Sequence, residues 1–186
     1  MIRYMSKIAI LSDSHDNEPN IDKFINFCNN NQIACVIHCG DVTTEASTQR
    51  LRRGLKCPIY LVDGNADITS STVLPRTNKF QRIKRRTVPH LEKTIDGLTI
   101  AACHEKTKAL SLAKRKNFPI IFYGHTHKPW QEICDQSELI NPGNLAGLFY
   151  PASFATLDTQ SRKPTLHLLS DLWWLSSIKK KLIIQP

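Results

Sequence analysis

Residues 8–15 read Ile8-Ala9-Ile10-Leu11-Ser12-Asp13-Ser14-His15. Four apolar residues in a row, closed at once by polar ones, read as a short strand buried on both faces. The polar end carries the chemistry: a carboxylate and an imidazole two residues apart, at the strand's C-terminal end. The construction recurs along the chain. Val36-Ile37-His38 runs into Cys39-Gly40-Asp41, and Ile59–Val62 into Asp63-Gly64-Asn65. Leu98–Ala102 runs into Cys103-His104, and Ile120–Tyr123 into Gly124-His125-Thr126-His127. Helical stretches fall between the runs. Ile21, Phe24, Ile25 and Cys28 repeat at i, i+3, i+4, i+7, which predicts an amphipathic helix capped by Asn20. Thr44–Arg53 predicts a second helix ending at Gly54, and Thr107–Lys116 a third, basic one. Asp96-Gly97 between two short β-type runs predicts a tight hairpin of type I′. From Gln131 onward the runs are short and turn-separated (Gln131–Cys134, Glu138–Ile140, Phe154–Leu157, Leu166–Leu169), the mark of antiparallel strands. The fold class is α/β, with two stacked mixed sheets and outer helices.

A chain of 186 residues bounds the answer to one ordinary domain with, at most, a short appendage. The expected domain is 1–170, followed by a C-terminal tail, 171–186, reading DLWWLSSIKKKLIIQP. Packing onto the domain is the first reading of the tail; a dimer contact or a membrane-surface patch are the others. Hydrophobic residues make up 41% and charged ones 22%, which excludes a disordered chain. No apolar run approaches the roughly 20 residues of a membrane helix. The net charge of +9 favours anionic partners such as phosphate esters, nucleic acid or acidic lipid, with solubility alone an equal alternative. No RNA-recognition, KH or helix-turn-helix signature supports nucleic acid beyond the charge. Six cysteines without a C-x-x-C pair read as reduced thiols, and hence as a cytoplasmic protein.

In α/β sheets the functional crevice lies beyond the C-terminal ends of the strands. The runs above deliver seven donors there: Asp13, His15, Asp41, Asn65, His104, His125 and His127. Glycines at 40, 64 and 124 sit just before three of them, where a sharp turn can aim the next side chain. Carboxylates, an amide oxygen and imidazoles suit manganese, iron, zinc or nickel better than sulfur-rich sites do. Seven donors exceed one four-coordinate ion and predict two metals with a bridging carboxylate. Such a pair, roughly 3.5–4 Å apart, activates water and stabilises both oxygens of an in-line displacement at phosphorus. Taken singly each donor has a plainer reading, since a strand-end Asp is often a helix cap. The joint pattern decides, because four of the seven histidines fall at these ends. Of the others, His38 reads as support for the ligands, and His90 and His167 as structural. Cys39 and Cys103 adjoin donors but are not expected to bind metal.

The ordered set D-x-H, G-D, G-N, H and G-H-x-H resembles the calcineurin-like metallophosphoesterases. Ser12–Asn17 with Pro19-Asn20, His38–Asp41, Gly124–His127, Asn141-Pro142-Gly143-Asn144 and Pro151–Asp158 resemble their compact capless branch of small bacterial and archaeal phosphodiesterases. The resemblance spans about residues 7–170 and implies a β-sandwich of two mixed sheets flanked by helices. It implies that Asp13, His15 and His127 hold one metal and Asn65, His104 and His125 another. Asp41 then bridges, together with a water or hydroxide that attacks phosphorus, and Asp41, Asn65 and His104 form the catalytic set. Manganese is the first expectation for the two divalent ions, with nickel, iron or zinc as alternatives. The chain departs from the wider family at Ala66, where a histidine is usual, and at Glu105 and Lys106, where the family tends to have Gly and His. The basic stretch Lys79, Arg82, Lys84, Arg85, Arg86 reads first as a solvated helix face and second as a border of the crevice. The implied function is a metal-dependent phosphodiesterase acting on small diesters or nucleotides. The alternatives are a scaffold, as in the retromer subunit of this fold, and a nucleic-acid-binding module.

Overall fold

The computed structural model of the protein describes residues 6–67, 90–115 and 117–172. The basic stretch 79–86 and most of the tail lie outside the described residues. Among the described residues, ten strands form two five-stranded mixed sheets, with helices packed outside them. The first sheet has the order β10-β9-β1-β2-β3, from β1 (Lys7–Leu11), β2 (Cys35–His38), β3 (Ile59–Leu61), β9 (Ser153–Asp158) and β10 (Pro164–Leu168). The second has the order β4-β5-β6-β8-β7, from β4 (Leu91–Ile95), β5 (Leu98–Ala102), β6 (Ile120–Phe122), β7 (Trp130–Cys134) and β8 (Ser137–Asn141). β1, β2 and β3 are parallel, as are β5, β6 and β8, so the runs that end in candidate donors all point the same way within their sheet. The remaining pairings are antiparallel.

Side-chain alternation along the strands sorts the core into layers. Ile8, Ile10, Cys35 and Ile37 from the first sheet meet Ile100, Ile120, Phe122 and Ile140 from the second, in one cluster between the sheets. Ala9, Leu11 and Val36 face the other way, under α1 (Glu18–Asn30) and α2 (Glu45–Gly54). Ala101, Cys103, Ile121 and Tyr123 do the same under α3 (Lys106–Ala113). Strands covered on both faces have no polar side to show, which is why they read as continuous apolar runs. Leu169 and the partly buried Leu172 pack on the first-sheet core, so the body of the fold continues to that point.

The local chemistry explains most element boundaries. Asp96 (φ 50°) and Gly97 (φ 81°) both lie left-handed, as a type I′ hairpin between β4 and β5 requires. Thr44 caps α2 by accepting from the Ser47 N–H. The cap of α1 is Asn17 rather than the expected Asn20. Its side-chain oxygen accepts from the Asn20 N–H at 3.2 Å, and Pro19 sits in the first turn, where no N–H donor is needed. Asn20 instead ties the helix to the far end of the chain by donating to the Leu145 carbonyl at 2.9 Å. α3 stops at Ala113, short of the expected Lys116.

Phe154 on β9 is the keystone of the first-sheet core. It is fully buried, lies edge-on to Phe24 at 5.1 Å and Phe27 at 4.7 Å, and stacks on His167 at 4.9 Å. Phe154→Ala is expected to destabilise the protein by about 3–5 kcal/mol, because so enclosed a site cannot collapse around the cavity. Urea unfolding followed by circular dichroism checks this.

Candidate metal centre

All seven sequence-derived donors arrive at one end of the sandwich. The donor atoms of Asp13, His15 and His127 lie within 4.8 Å of one another, and so do those of Asp13, Asp41 and His104. His15 Nε2 faces His127 Nε2 at 3.3 Å, and His127 Nε2 is 3.4 Å from Asp13 Oδ1. On the other side, Asn65 Oδ1 lies 2.9 Å from both His104 Nε2 and His125 Nδ1, which are 3.2 Å apart. Asp41 stands between the two groups. Its Oδ2 is 3.8 Å from His15 Nε2 and 3.4 Å from His104 Nε2, while Oδ1 accepts from the Ala66 N–H at 2.8 Å.

Several details fit this cluster to metal. Asp13 Oδ1 is buried and accepts no hydrogen bond, an arrangement that is costly unless a cation meets the oxygen. The other oxygen, Oδ2, accepts from the His125 N–H at 3.0 Å, which fixes the carboxylate's orientation. His104 Nδ1 donates to the Cys39 carbonyl at 2.8 Å, so the Nε2 lone pair is the one turned to the cluster. Burial lifts the Asp13 carboxyl above its ordinary value, more than the neighbouring His104 and His127 lower it. Burial disfavours charged His104, yet the Asp41 and Asp13 carboxylates outweigh it and raise its pKa. Burial also acts against ionised Asp41, but His104, the Ala66 N–H and His15 hold its carboxyl below the ordinary range. An electron-rich cluster that attracts protons in this way offers the same lone pairs to divalent cations.

The backbone at the site is unusual. Asp13, His15, Asp41, His125 and His127 all have left-handed φ, between 38° and 67°. Few non-glycine residues adopt this region, and their concentration here marks strain held in place by the surroundings. Two glycines serve by close approach rather than by their own φ. A Cβ on Gly64 would run into the Asp41 carboxylate, and one on Gly124 into Ser12 and Asp13. Their place just before a donor predicts a sharp turn at Gly40, Gly64 and Gly124, but of the three only Gly40 (φ 105°) is left-handed.

Residues 6–162 match the model of the calcineurin-like phosphoesterase superfamily domain. The chain belongs to this superfamily. It is 30% identical over 160 residues to the phosphodiesterase MJ0936 of Methanocaldococcus jannaschii, spanning 84% of this chain and 95% of that one. Its fold matches the solved structure of an archaeal phosphodiesterase with a TM-score of 0.71 at 26% identity, covering 87% of this chain and 99% of the other. It matches vacuolar protein sorting 29 from Cryptosporidium parvum with a TM-score of 0.63 over 89% and 97% of the two chains. At 17% identity that last likeness is one of fold.

The calcineurin-like fold holds its donors through residues to which the sequence motifs assign no role of their own. Asp67, fully in the shadow of Asn65 in the sequence, accepts from the backbone N–H groups of Asp41, Gly64 and Thr43 at 2.8–2.9 Å. One carboxylate thereby fixes the β2 and β3 loops together. Asp16 does the same for the β1 and β2 loops through Thr43 and Thr44; burial acts against its ionised form, but the hydroxyls of Ser47, Thr43 and Thr44 outweigh it and lower the carboxyl's pKa. Asn141 donates to the Gly124 carbonyl and Asn144 to the His127 carbonyl, so the loop after β8 clamps the G-H-x-H loop. The signal for the last two was the Asn141-Pro142-Gly143-Asn144 motif, and both asparagines are buried.

His38 sits beneath the donors as expected. Its Nδ1 accepts from the Gly40 N–H at 3.2 Å, which leaves the Nε2–H to donate to Ser14 Oγ at 3.0 Å. Burial pushes its pKa down to about 4, so this neutral tautomer persists at ordinary pH. Burial likewise raises the Cys39 thiol far above its usual range and the Cys103 thiol to about 12. Both thiols stay protonated at ordinary pH. Lys106, one of the departures from the family pattern, turns away from the cluster to pair with Glu132 at 2.7 Å. Among the described residues no helix is long and apolar enough to cross a membrane.

Gly64→Ala is expected to lower stability and to weaken divalent-metal binding about 10–100-fold, because the added Cβ meets both the backbone nitrogen and the carboxylate of Asp41. Calorimetric titration with Mn²⁺, beside unfolding followed by circular dichroism, checks both halves.

Proposed function

We propose that the protein is a binuclear metal-dependent phosphodiesterase acting on small phosphodiesters or nucleotides. The observation that carries the reading is the position of Asp41, whose Oδ2 stands between His15 of one donor group and His104 of the other. In this assignment Asp13, His15 and His127 hold one ion, Asn65, His104 and His125 hold the second, and Asp41 is shared. Two divalent ions held there would supply activated water and charge neutralisation at phosphorus. Manganese is the first choice, with nickel, iron or zinc as alternatives, since the donors are oxygen and imidazole nitrogen. A donor set with no position lost supports catalysis over a purely scaffolding role. The phosphodiesterase homologue MJ0936 supports a diester over a monoester substrate.

The chain's own residues do the positioning. Asp13 is oriented by the His125 N–H, His104 by the Cys39 carbonyl, and Asp41 by the Ala66 N–H. Position 66 contributes its backbone alone; a methyl group stands where a ring could protonate a leaving oxygen. The reading therefore favours esters whose leaving group is stable as an anion. We further propose that the catalytic domain is 1–170 and that the tail takes no part in the chemistry.

Asp41→Asn is expected to lower kcat/KM at least about 100-fold and to reduce bound metal, because a neutral amide cannot offset the charge of two cations. Metal content per chain and turnover of an aryl phosphodiester with Mn²⁺ test it, and near-normal values for both would sink the two-metal assignment. Ala66→His is expected to speed alkyl or ribose esters at least about tenfold while aryl diesters change less, since only the basic leaving groups gain from a proton donor. The measurement is kcat/KM for one aryl and one alkyl ester in both proteins at matched metal loading.

A further inference from the structure

The loop that clamps the G-H-x-H segment carries an exposed run, Leu148-Phe149-Tyr150, at 44%, 90% and 40% exposure. Phe149 is the outlier. Its ring lies 5.6 Å from the His127 ring, tilted by 48°, so it stands at the mouth of the donor cluster with nearly all its surface in water. Its backbone is left-handed (φ 65°), a conformation unfavourable for a bulky residue.

The loop is also rigidly specified. Gly147 (φ 78°) turns the chain, and the buried Asn144 accepts from the Leu148 N–H at 2.7 Å. The Asn144 amide donates to the carbonyls of His127 at 3.1 Å and Tyr150 at 3.4 Å. The Tyr150 N–H donates to the Leu148 carbonyl at 2.8 Å. One buried side chain thus fixes both the His127 backbone and the span that presents Phe149. An aromatic ring kept out of the core, on an unfavourable backbone, with its position tied to a candidate metal ligand, is placed rather than left over.

Resting on the phosphodiesterase reading above, we propose that Phe149 is a stacking platform for a planar aromatic group of the substrate ester. An ester whose phosphorus reaches Asp13 and Asp41 has its substituents beside His127, and Phe149 is the aromatic face waiting there. Stacking suits every flat ring, so the platform selects for the presence of a ring over its identity. Nucleobases and simple aryl groups share this chemistry.

The test compares ligands that differ only by the ring: phenyl phosphate against methyl phosphate, and thymidine 5′-phosphate against ribose 5-phosphate. Their affinities are measured by calorimetry on the Mn²⁺-loaded wild type, Phe149→Ala and Phe149→Trp. The wild type is expected to prefer each ring-bearing ligand, Phe149→Ala to shrink that preference about tenfold, and Phe149→Trp to retain it. A change confined to the phenyl pair assigns the platform to simple aryl esters, and one confined to the nucleotide pair assigns it to nucleobases. Equal affinities within both pairs in the wild type would overturn the proposal. So would a Phe149→Ala variant that leaves both preferences intact, including one whose only change, by analytical ultracentrifugation, is oligomeric state. Failure of the wild type to hydrolyse any diester would count against the phosphodiesterase reading alone, because binding is read without turnover.

Discussion

The Asp41 carboxylate is where the two halves of the sandwich meet chemically. His15 follows a strand of the first sheet and His104 a strand of the second, and both turn toward Asp41 Oδ2. That convergence demands a particular stacking of the sheets. If the inter-sheet layer of Ile8, Ile10, Ile37, Ile100, Ile120 and Phe122 were thicker or slipped by a residue, the two imidazoles would no longer converge on one carboxylate oxygen. A close-packed apolar interior is what makes such a fixed spacing available, because it has a defined thickness and little compressibility.

Precision at the cluster is obtained by a second set of polar groups, most of them buried, that lie outside the donor set. Asp67, Asp16, Asn141, Asn144 and His38 each satisfy backbone or hydroxyl groups of the donor loops. These contacts hold five donor residues in a backbone region they would not choose. The strain is local and the restraint is distributed, which is the usual arrangement where side chains must be pre-positioned before a ligand arrives.

The ends of the apolar runs were legible because the chemistry there is discrete: a buried strand cannot carry Asp or His in its middle, so those residues mark its limits. The layering was legible for a related reason, since strands covered on both faces lose the polar alternation. Other features depended on contacts far apart in sequence. Asn20 looked like a cap because it precedes the first periodic apolar residue, but its partner is Leu145, and Asn17 takes the cap. Gly64 and Gly124 looked like turn residues, yet what excludes a side chain there is a different loop: Asp41 at Gly64, and Ser12 with Asp13 at Gly124. Asp67 could be seen but not interpreted, since its three donors come from two separate loops.

The placement of β1 has a further consequence, for how the chain is assembled. β1 lies inside the first sheet, with β2 on one side and β9 on the other, and β9 begins at Ser153. The β1–β2 pairing joins segments close in sequence, whereas the β1–β9 pairing closes a loop of most of the chain and carries a larger entropic cost. Until it closes, Ile8-Ala9-Ile10-Leu11 presents an unpaired edge with the hallmarks of an aggregation-prone strand: apolar, uncharged and free of proline. Completion of the sheet by β9 therefore protects the nascent protein as well as shaping its fold, and a chain interrupted before residue 153 would expose a sticky edge directly beside the loops that carry the candidate donors.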